Sequence, residues 1–184
     1  PGGHAEPTVS GDRIAAATYL CAAALTGGKI ALRGCLPEHI KSITGRLSSS
    51  GCVICESENE ITLTAPRRLS ALGYLKTGVY PGFPTDAGPI MMSCMTTADG
   101  ETLFEETIFQ NRFRHVPELV KMGAEIKVNG RYAQCTGVMR LSGARVYASD
   151  LRGGAALVLA ALSADGISEI YNSEYIDRGY EKID

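Results

Sequence analysis

The 184-residue chain carries no surplus of charge: 18 basic and 20 acidic side chains leave a net charge of −2. So balanced a surface offers no general attraction to nucleic acid or to an anionic membrane. Long hydrophobic runs are missing as well. The apolar stretches are broken by Gly, Thr or Ser before they reach the length of a bilayer-spanning helix, and no basic segment with an apolar core behind it opens the chain. The expectation is a cytoplasmic protein that meets neither membrane nor nucleic acid. Metal-ligand spacing is also lacking. Cys52-Val53-Ile54-Cys55 has the interval of a redox or zinc pair, but no second Cys/His pair stands at metal spacing. The segment reads as a strand, whose alternation turns Cys52 and Cys55 to opposite faces. The six cysteines, scattered mostly through apolar segments, read as free buried thiols rather than a disulfide framework.

What is present suits one globular domain with a real core: 45% hydrophobic and 21% charged residues. The most telling stretch is Asp150-Leu151-Arg152-Gly153-Gly154, followed by an Ala/Leu/Val run to Leu162. Asp150 can cap a helix, and a helix apolar all round belongs in a core. Arg152 is misplaced in its first turn, where the helix dipole is already positive. Exposed N–H groups, two glycines and a guanidinium are what a phosphate or carboxylate site needs. An Arg pairing with a nearby acid at a loop edge fits the same residues.

Helices are expected at 14–25, 37–50, from Thr85-Asp86 to Thr97, at 114–122, from Asp150 to Asp165-Gly166, and from about Asp177. Strands are expected at 29–33, 52–56, 60–64, 70–76, 102–108, 125–128, 133–137 and up to Tyr171, with an irregular segment or short strand at 1–10. Asn129-Gly130 is the best hairpin turn. The glycines carry a register: Gly28 and Gly100 are 72 residues apart, as are Gly51 and Gly123, whereas Gly100 and Gly166 are 66 apart. The chain therefore reads as one α/β unit written nearly three times. The third copy stops early, so either the chain belongs to a longer protein or another segment completes the sheet.

The repeat also sorts the charges. Asp86 and Arg152 lie 66 apart at the start of a first helix, and Arg112 and Arg178 lie 66 apart at the start of a second. The first copy has Ile14 and Ile40 at these positions. Equivalent points of a pseudo-symmetric fold share one end of it, so one Asp and three Arg are expected to converge there, as a functional cluster or a structural ion-pair network. Such a cluster suits a substrate with several anionic groups and a hydroxyl to deprotonate, with Asp86 as general base. Phe109 is an apolar wall beside it or simply core. His115 contacts the site, caps a helix or packs in the core. Asp150 and Asp177 cap helices or hold the Arg that follows them.

At these residues a resemblance emerges. The segments 83–86 (Phe-Pro-Thr-Asp), 106–119, 141–144 (Leu-Ser-Gly-Ala), 150–155 and 176–181 resemble, in order, the UDP-N-acetylglucosamine 1-carboxyvinyltransferase family of enolpyruvyl transferases. The likeness spans roughly the whole chain but only one half of that enzyme, the domain formed mainly by its C-terminal part. It implies an α/β fold, an inside-out α/β barrel of βαβαββ units with helices within and sheets outside, the third unit here incomplete. It implies a single domain, 1–184, that meets a second domain across the active site and is inactive alone. By motif, Asp86 resembles the base for the sugar 3-hydroxyl, and Arg152 and Arg178 the phosphoenolpyruvate clamp. Ile108 and Phe109 resemble contacts to UDP-N-acetylglucosamine, Arg112 a further basic residue of the site, and Asp150 a partner beside Arg152. The implied chemistry is an addition–elimination that releases phosphate, with no metal or organic cofactor. Gln110 stands where the family usually has Glu, Tyr175 where it has His, and Ala87-Gly88 where it has a more polar pair. The family's lid loop with its reactive Cys, and its N-terminal basic residues, have no counterpart. Two alternatives remain: a shikimate-pathway enolpyruvyl transferase, which the motif 106–115 argues against, and a non-catalytic nucleotide-sugar-binding module.

Overall fold

The computed structural model describes residues 11–181; the segment 1–10, with its expected strand, lies outside them. The first unit runs α1 (Arg13–Leu25), β1 (Lys29–Arg33), α2 (Pro37–Ser49), β2 (Val53–Glu56) and β3 (Glu60–Thr64). The second runs β4 (Gly73–Lys76), a 3-10 turn (Thr85–Ala87) leading into α3 (Gly88–Met95), β5 (Glu101–Glu105), a second 3-10 turn (Arg112–His115) leading into α4 (Val116–Lys121), then β6 (Glu125–Asn129) and β7 (Tyr132–Thr136). The third holds β8 (Leu141–Ser142), β9 (Arg145–Tyr147), α5 (Leu151–Ser163), β10 (Ala164–Asp165), β11 (Glu169–Tyr171) and α6 (Glu174–Asp177).

The repeat survives in the pairing. Strand β3 joins β1 and β2 antiparallel in the first unit, as β7 joins β5 and β6 in the second. Across α3, β4 and β5 pair in parallel, and across α5 so do β8 with β10 and β9 with β11. Helices α1, α3 and α5 pack on one another, with the sheets outside them. This is the expected inside-out arrangement, its third unit reduced, among the described residues, to the parallel strand pairs and two helices.

The helix after Asp150, α5, lies in the core as expected, but α3 is the more fully enclosed. All eight residues of α3 are buried, whereas α5 leaves Val158 half-buried and Leu162 59% exposed. Apolar composition alone cannot separate a helix enclosed on every side from one covered on most. Two polar groups fasten α3 to its neighbours: Ser93 Oγ donates to the Ala156 carbonyl of α5 at 2.7 Å, and Cys94 Sγ to the Cys21 carbonyl of α1 at 3.5 Å. The glycines of α5 serve this close packing. A Cβ at Gly154 would lie 2.6 Å from Ile176 Cγ1, and one at Gly153 would lie 3.0 Å from His115 Cβ.

Other departures have local causes. The expected strand 102–108 ends at Glu105, because the Glu106 side chain captures the amides of Ile108 and Phe109 and so diverts the chain from the sheet. The hairpin turn is Gly130-Arg131: Asn129 pairs with Tyr132, and Gly130, with φ of 59°, takes the positive-φ first position of a type II′ turn. Helix α6 ends at Asp177, where a helix was expected to begin, and Asp177 therefore does not cap it. All six cysteines are free; five are buried and Cys55 is exposed, opposite in burial to Cys52.

His115 is core rather than site. It is 1% exposed, and its Nδ1 lies 3.2 Å from the Arg112 carbonyl, which can only accept, so Nδ1 carries the proton. Among the described residues its Nε2 has no hydrogen-bond partner. Burial pushes the imidazole down from 6.5 to about 4, against a smaller upward pull from Asp150. The unfolded chain therefore binds the proton more tightly, and stability present above about pH 6.5 is lost as the pH falls toward 4, by up to about 3 kcal/mol at about 1.4 kcal/mol per unit. Urea unfolding should show a drop in stability between pH 7 and pH 5 that is smaller in a His115→Asn variant; equal drops would refute the assignment. Two glycines should respond with opposite signs. Gly45, exposed within α2 with open space around it, should gain about 0.5–1 kcal/mol on substitution by Ala. Gly137→Ala should cost about 3 kcal/mol, because its Cβ would collide with the Ala98 carbonyl. Thermal melts of both variants check this.

Candidate active site

The three central helices run in the same direction. The N-terminal ends of α1 and α3 share a cleft of about 210 Å³ lined by Arg13, Thr85, Asp86 and Ile108. Their C-terminal ends, with that of α5, share another cleft, of about 470 Å³, lined by Leu25, Thr97 and Ser163. The site residues gather at the N-terminal end, where the helix dipoles are positive.

Pro84 leads the chain into the 3-10 turn that carries Asp86 onto α3. Asn111, with φ of 61° in the left-handed region that Asn tolerates, turns the chain so that Arg112 opens its own 3-10 turn. Asp86 Oδ1 accepts from Arg112 at 2.8 Å, and Asp86 Oδ2 lies 3.5 Å from an Arg152 guanidinium nitrogen. Both guanidiniums are largely covered, with side chains 10% and 15% exposed, while the Asp86 side chain is 41% exposed. Arg178, just beyond α6, lines the same cleft of about 430 Å³ as Asp86, Arg112, Asp150, Arg152 and Phe109. It has no carboxylate within ion-pair distance among the described residues. One carboxylate is thus shared by two cations, with a third cation close by and uncommitted.

The structure brings the expected residues together and sorts their parts. Asp150 caps α5: its Oδ1 accepts from the amides of Arg152 at 3.0 Å and Gly153 at 2.8 Å. The amides that the sequence offered to a phosphate or carboxylate are thus already taken, while Arg152 does pair with an acid, Asp86, and the two glycines serve packing. The groups at this helix end whose chemistry suits an anion are the guanidiniums. Phe109 is 54% exposed and Ile108 47%, so Phe109 is no core residue. Its ring stacks on the Arg112 guanidinium at 4.4 Å, which shields one face of that cation from water. Ile108 faces the smaller cleft that it shares with Asp86. Among the described residues no group of three or more His, Cys, Asp or Glu converges as a metal site.

Three residues escaped the sequence reading. Tyr180, 5% exposed, shares a hydrogen bond of 2.8 Å with Thr18 and places its ring 6.0 Å from the Arg152 guanidinium carbon. Thr85 Oγ1 accepts from Arg112 Nε at 3.1 Å. Glu106 is 6% exposed and takes four donors: the amides of Ile108 and Phe109 and the hydroxyls of Thr77 and Thr85. In the sequence Glu106 only opens the segment 106–119 with no role attached to it; Glu105 is equally buried, at 6% exposed, and what separates the two is the donors each one faces.

Comparison with known proteins bears on the family and the fold. The family model described as EPSP synthase (3-phosphoshikimate 1-carboxyvinyltransferase) matches residues 2–184. The chain is 45% identical over 179 residues to UDP-N-acetylglucosamine 1-carboxyvinyltransferase 2 of Caldanaerobacter subterraneus subsp. tengcongensis, covering 97% of this chain and 43% of that protein. It is 48% identical over 182 residues to UDP-N-acetylglucosamine 1-carboxyvinyltransferase 1 of Symbiobacterium thermophilum, covering 99% and 41%. The chain therefore spans about two fifths of the length of these curated relatives. Among solved structures, the enolpyruvyl transferase NikO from Streptomyces tendae superposes with a TM-score of 0.83 at 24% identity, covering 95% of this chain and 41% of that one. EPSP synthase from Acinetobacter baumannii gives 0.69 at 18% identity, covering 95% and 43%. At such identities the two structures speak for the fold alone. With helices inside, sheets outside and a family match along nearly its whole length, the chain belongs to the EPSP synthase family of enolpyruvyl transferases.

Proposed function

We propose that residues 1–184 form one domain of a two-domain UDP-N-acetylglucosamine 1-carboxyvinyltransferase, a cytoplasmic enzyme of peptidoglycan synthesis. In this reading it transfers the enolpyruvyl group of phosphoenolpyruvate to the 3-hydroxyl of UDP-N-acetylglucosamine and depends on the second domain for turnover. The observation that carries the reading is Asp86 held between Arg112 and Arg152 with Arg178 in the same cleft. The names of the relatives support the nucleotide sugar over shikimate 3-phosphate as acceptor.

Asp86 takes the proton of the 3-hydroxyl as that oxygen bonds to C2 of phosphoenolpyruvate, and the C2–C3 π pair takes a proton from solvent at C3. Loss of a C3 proton to solvent re-forms the double bond as the C2–O bond to phosphate breaks, which releases phosphate and leaves the enolpyruvyl ether. Arg152 and Arg178 balance the carboxylate and phosphate of the donor, for which guanidinium forks are suited. The two contacts to Asp86 differ in a useful way. Arg112 holds it at 2.8 Å, but Arg152 at only 3.5 Å, so an arriving anion competes for the looser partner and frees Oδ2 to act as base. Ile108 and Phe109, both exposed on the loop after β5, form the apolar wall for the nucleotide sugar.

The test grafts this sequence in place of the corresponding region of the Symbiobacterium thermophilum relative and measures phosphate release from the two substrates. Arg152→Ala and Arg178→Ala should each lower kcat/KM for phosphoenolpyruvate about a hundredfold or more, with melting temperatures little changed. Full activity in either variant would defeat the clamp assignment. Titration calorimetry of UDP-N-acetylglucosamine against an enzyme that binds but never turns over would instead favour a non-catalytic module.

A further inference from the structure

We propose that Glu106 is a positioning residue that sets the Asp86 base and the Ile108-Phe109 wall in register with one carboxylate; this rests on the function proposed above. Glu106 leaves the end of β5 and points inward, 6% exposed. Its two oxygens divide the work. Oε1 accepts from the amides of Ile108 at 2.7 Å and Phe109 at 2.9 Å, and from the Thr77 hydroxyl at 2.9 Å. Oε2 accepts from the Thr85 hydroxyl at 2.7 Å.

The second branch has a fixed polarity. Arg112 has donors only, so Thr85 Oγ1 must accept from its Nε, and the single hydroxyl proton of Thr85 is left to point elsewhere. A carboxylate oxygen is the partner that always accepts it. The chain therefore runs from Arg112 through Thr85 to Glu106, while the other end of the same guanidinium grips Asp86 at 2.8 Å. Removing the acceptor at Oε2 would turn the Thr85 hydroxyl, loosen Arg112 and let the base drift. Removing both oxygens would release the wall as well. The neighbouring Glu105 shares none of this: it lies on the strand and faces Tyr74, Lys76 and Arg131.

The experiment uses the grafted full-length enzyme described above. Glu106→Gln keeps a carbonyl oxygen for the two amides but presents an NH2 to Thr85. Its kcat should fall tenfold to a hundredfold, the range that misplacement of a reacting group by about an ångström costs. KM for UDP-N-acetylglucosamine should change less than about threefold, because the wall keeps its anchor. Thr85→Val should reproduce that loss in kcat, and the double variant should be no worse than either single one, since both cut the same link. Glu106→Ala should raise KM for the nucleotide sugar in addition. Wild-type kcat in Glu106→Gln and Thr85→Val, or losses that multiply in the double variant, would overturn the proposal. If Glu106→Gln does not fold, kcat of Thr85→Val decides alone. An inactive parent enzyme would sink the substrate reading and this inference with it; an active parent with unaffected variants would sink the inference only.

Discussion

The complete burial of α3 between α1 and α5 is the constraint from which the remaining structure follows. A helix with no solvent face must satisfy its polar side chains internally, and Ser93 and Cys94 do so on the carbonyls of its two neighbours. Small side chains let the three helices approach, and their common direction places three positive helix ends at one side of the molecule. The opposite side collects the negative ends, and there Arg68 donates to the carbonyls of Thr97, Ala98 and Val138. One packing decision thus makes one end electropositive and obliges the other to recruit a cation.

At the positive end the charges are arranged rather than merely gathered. Asp150 occupies the first amides of α5, so the field of that helix is partly answered before any ligand arrives. Asp86 neutralises part of Arg112 and Arg152, and it is the most exposed member of the trio. Phe109 covers Arg112 from the side, which lowers the local dielectric and strengthens its hold on Asp86. The positions come from backbone elements far apart in the chain, and Arg112 is fixed by hydrogen bonds to both Thr85 and Asp86. Such a two-level construction is what the proposed role of Asp86 as a base would require.

The unequal units explain how one architecture carries one site. The first unit has Ile14 and Ile40 where the second has Asp86 and Arg112, and both isoleucines are buried. Duplication supplies equivalent points at one rim, and substitution decides which of them stay core and which become polar. Strands β1 and β5, a repeat apart, keep the same length and equivalent antiparallel partners, β3 and β7, so this part of the scaffold is indifferent to what the rim carries.

Local chemistry made much of this legible beforehand. The Asp150 cap, the boundaries of β1 and β3, and the meeting of Asp86 with Arg112, Arg152 and Arg178 follow from propensity, capping and a repeat counted in glycines. What local chemistry does not encode is which surfaces meet. That α3 is the fully enclosed helix, that Gly153 and Gly154 make room for His115 and Ile176, and that Glu106 turns to the amides of Ile108 and Phe109 while the equally buried Glu105 faces Tyr74, Lys76 and Arg131 were settled only in three dimensions. The reason is range: a cap or a turn acts within a few residues, whereas the contact between Thr18 and Tyr180 spans 162 positions of sequence and exists only once the helices have packed.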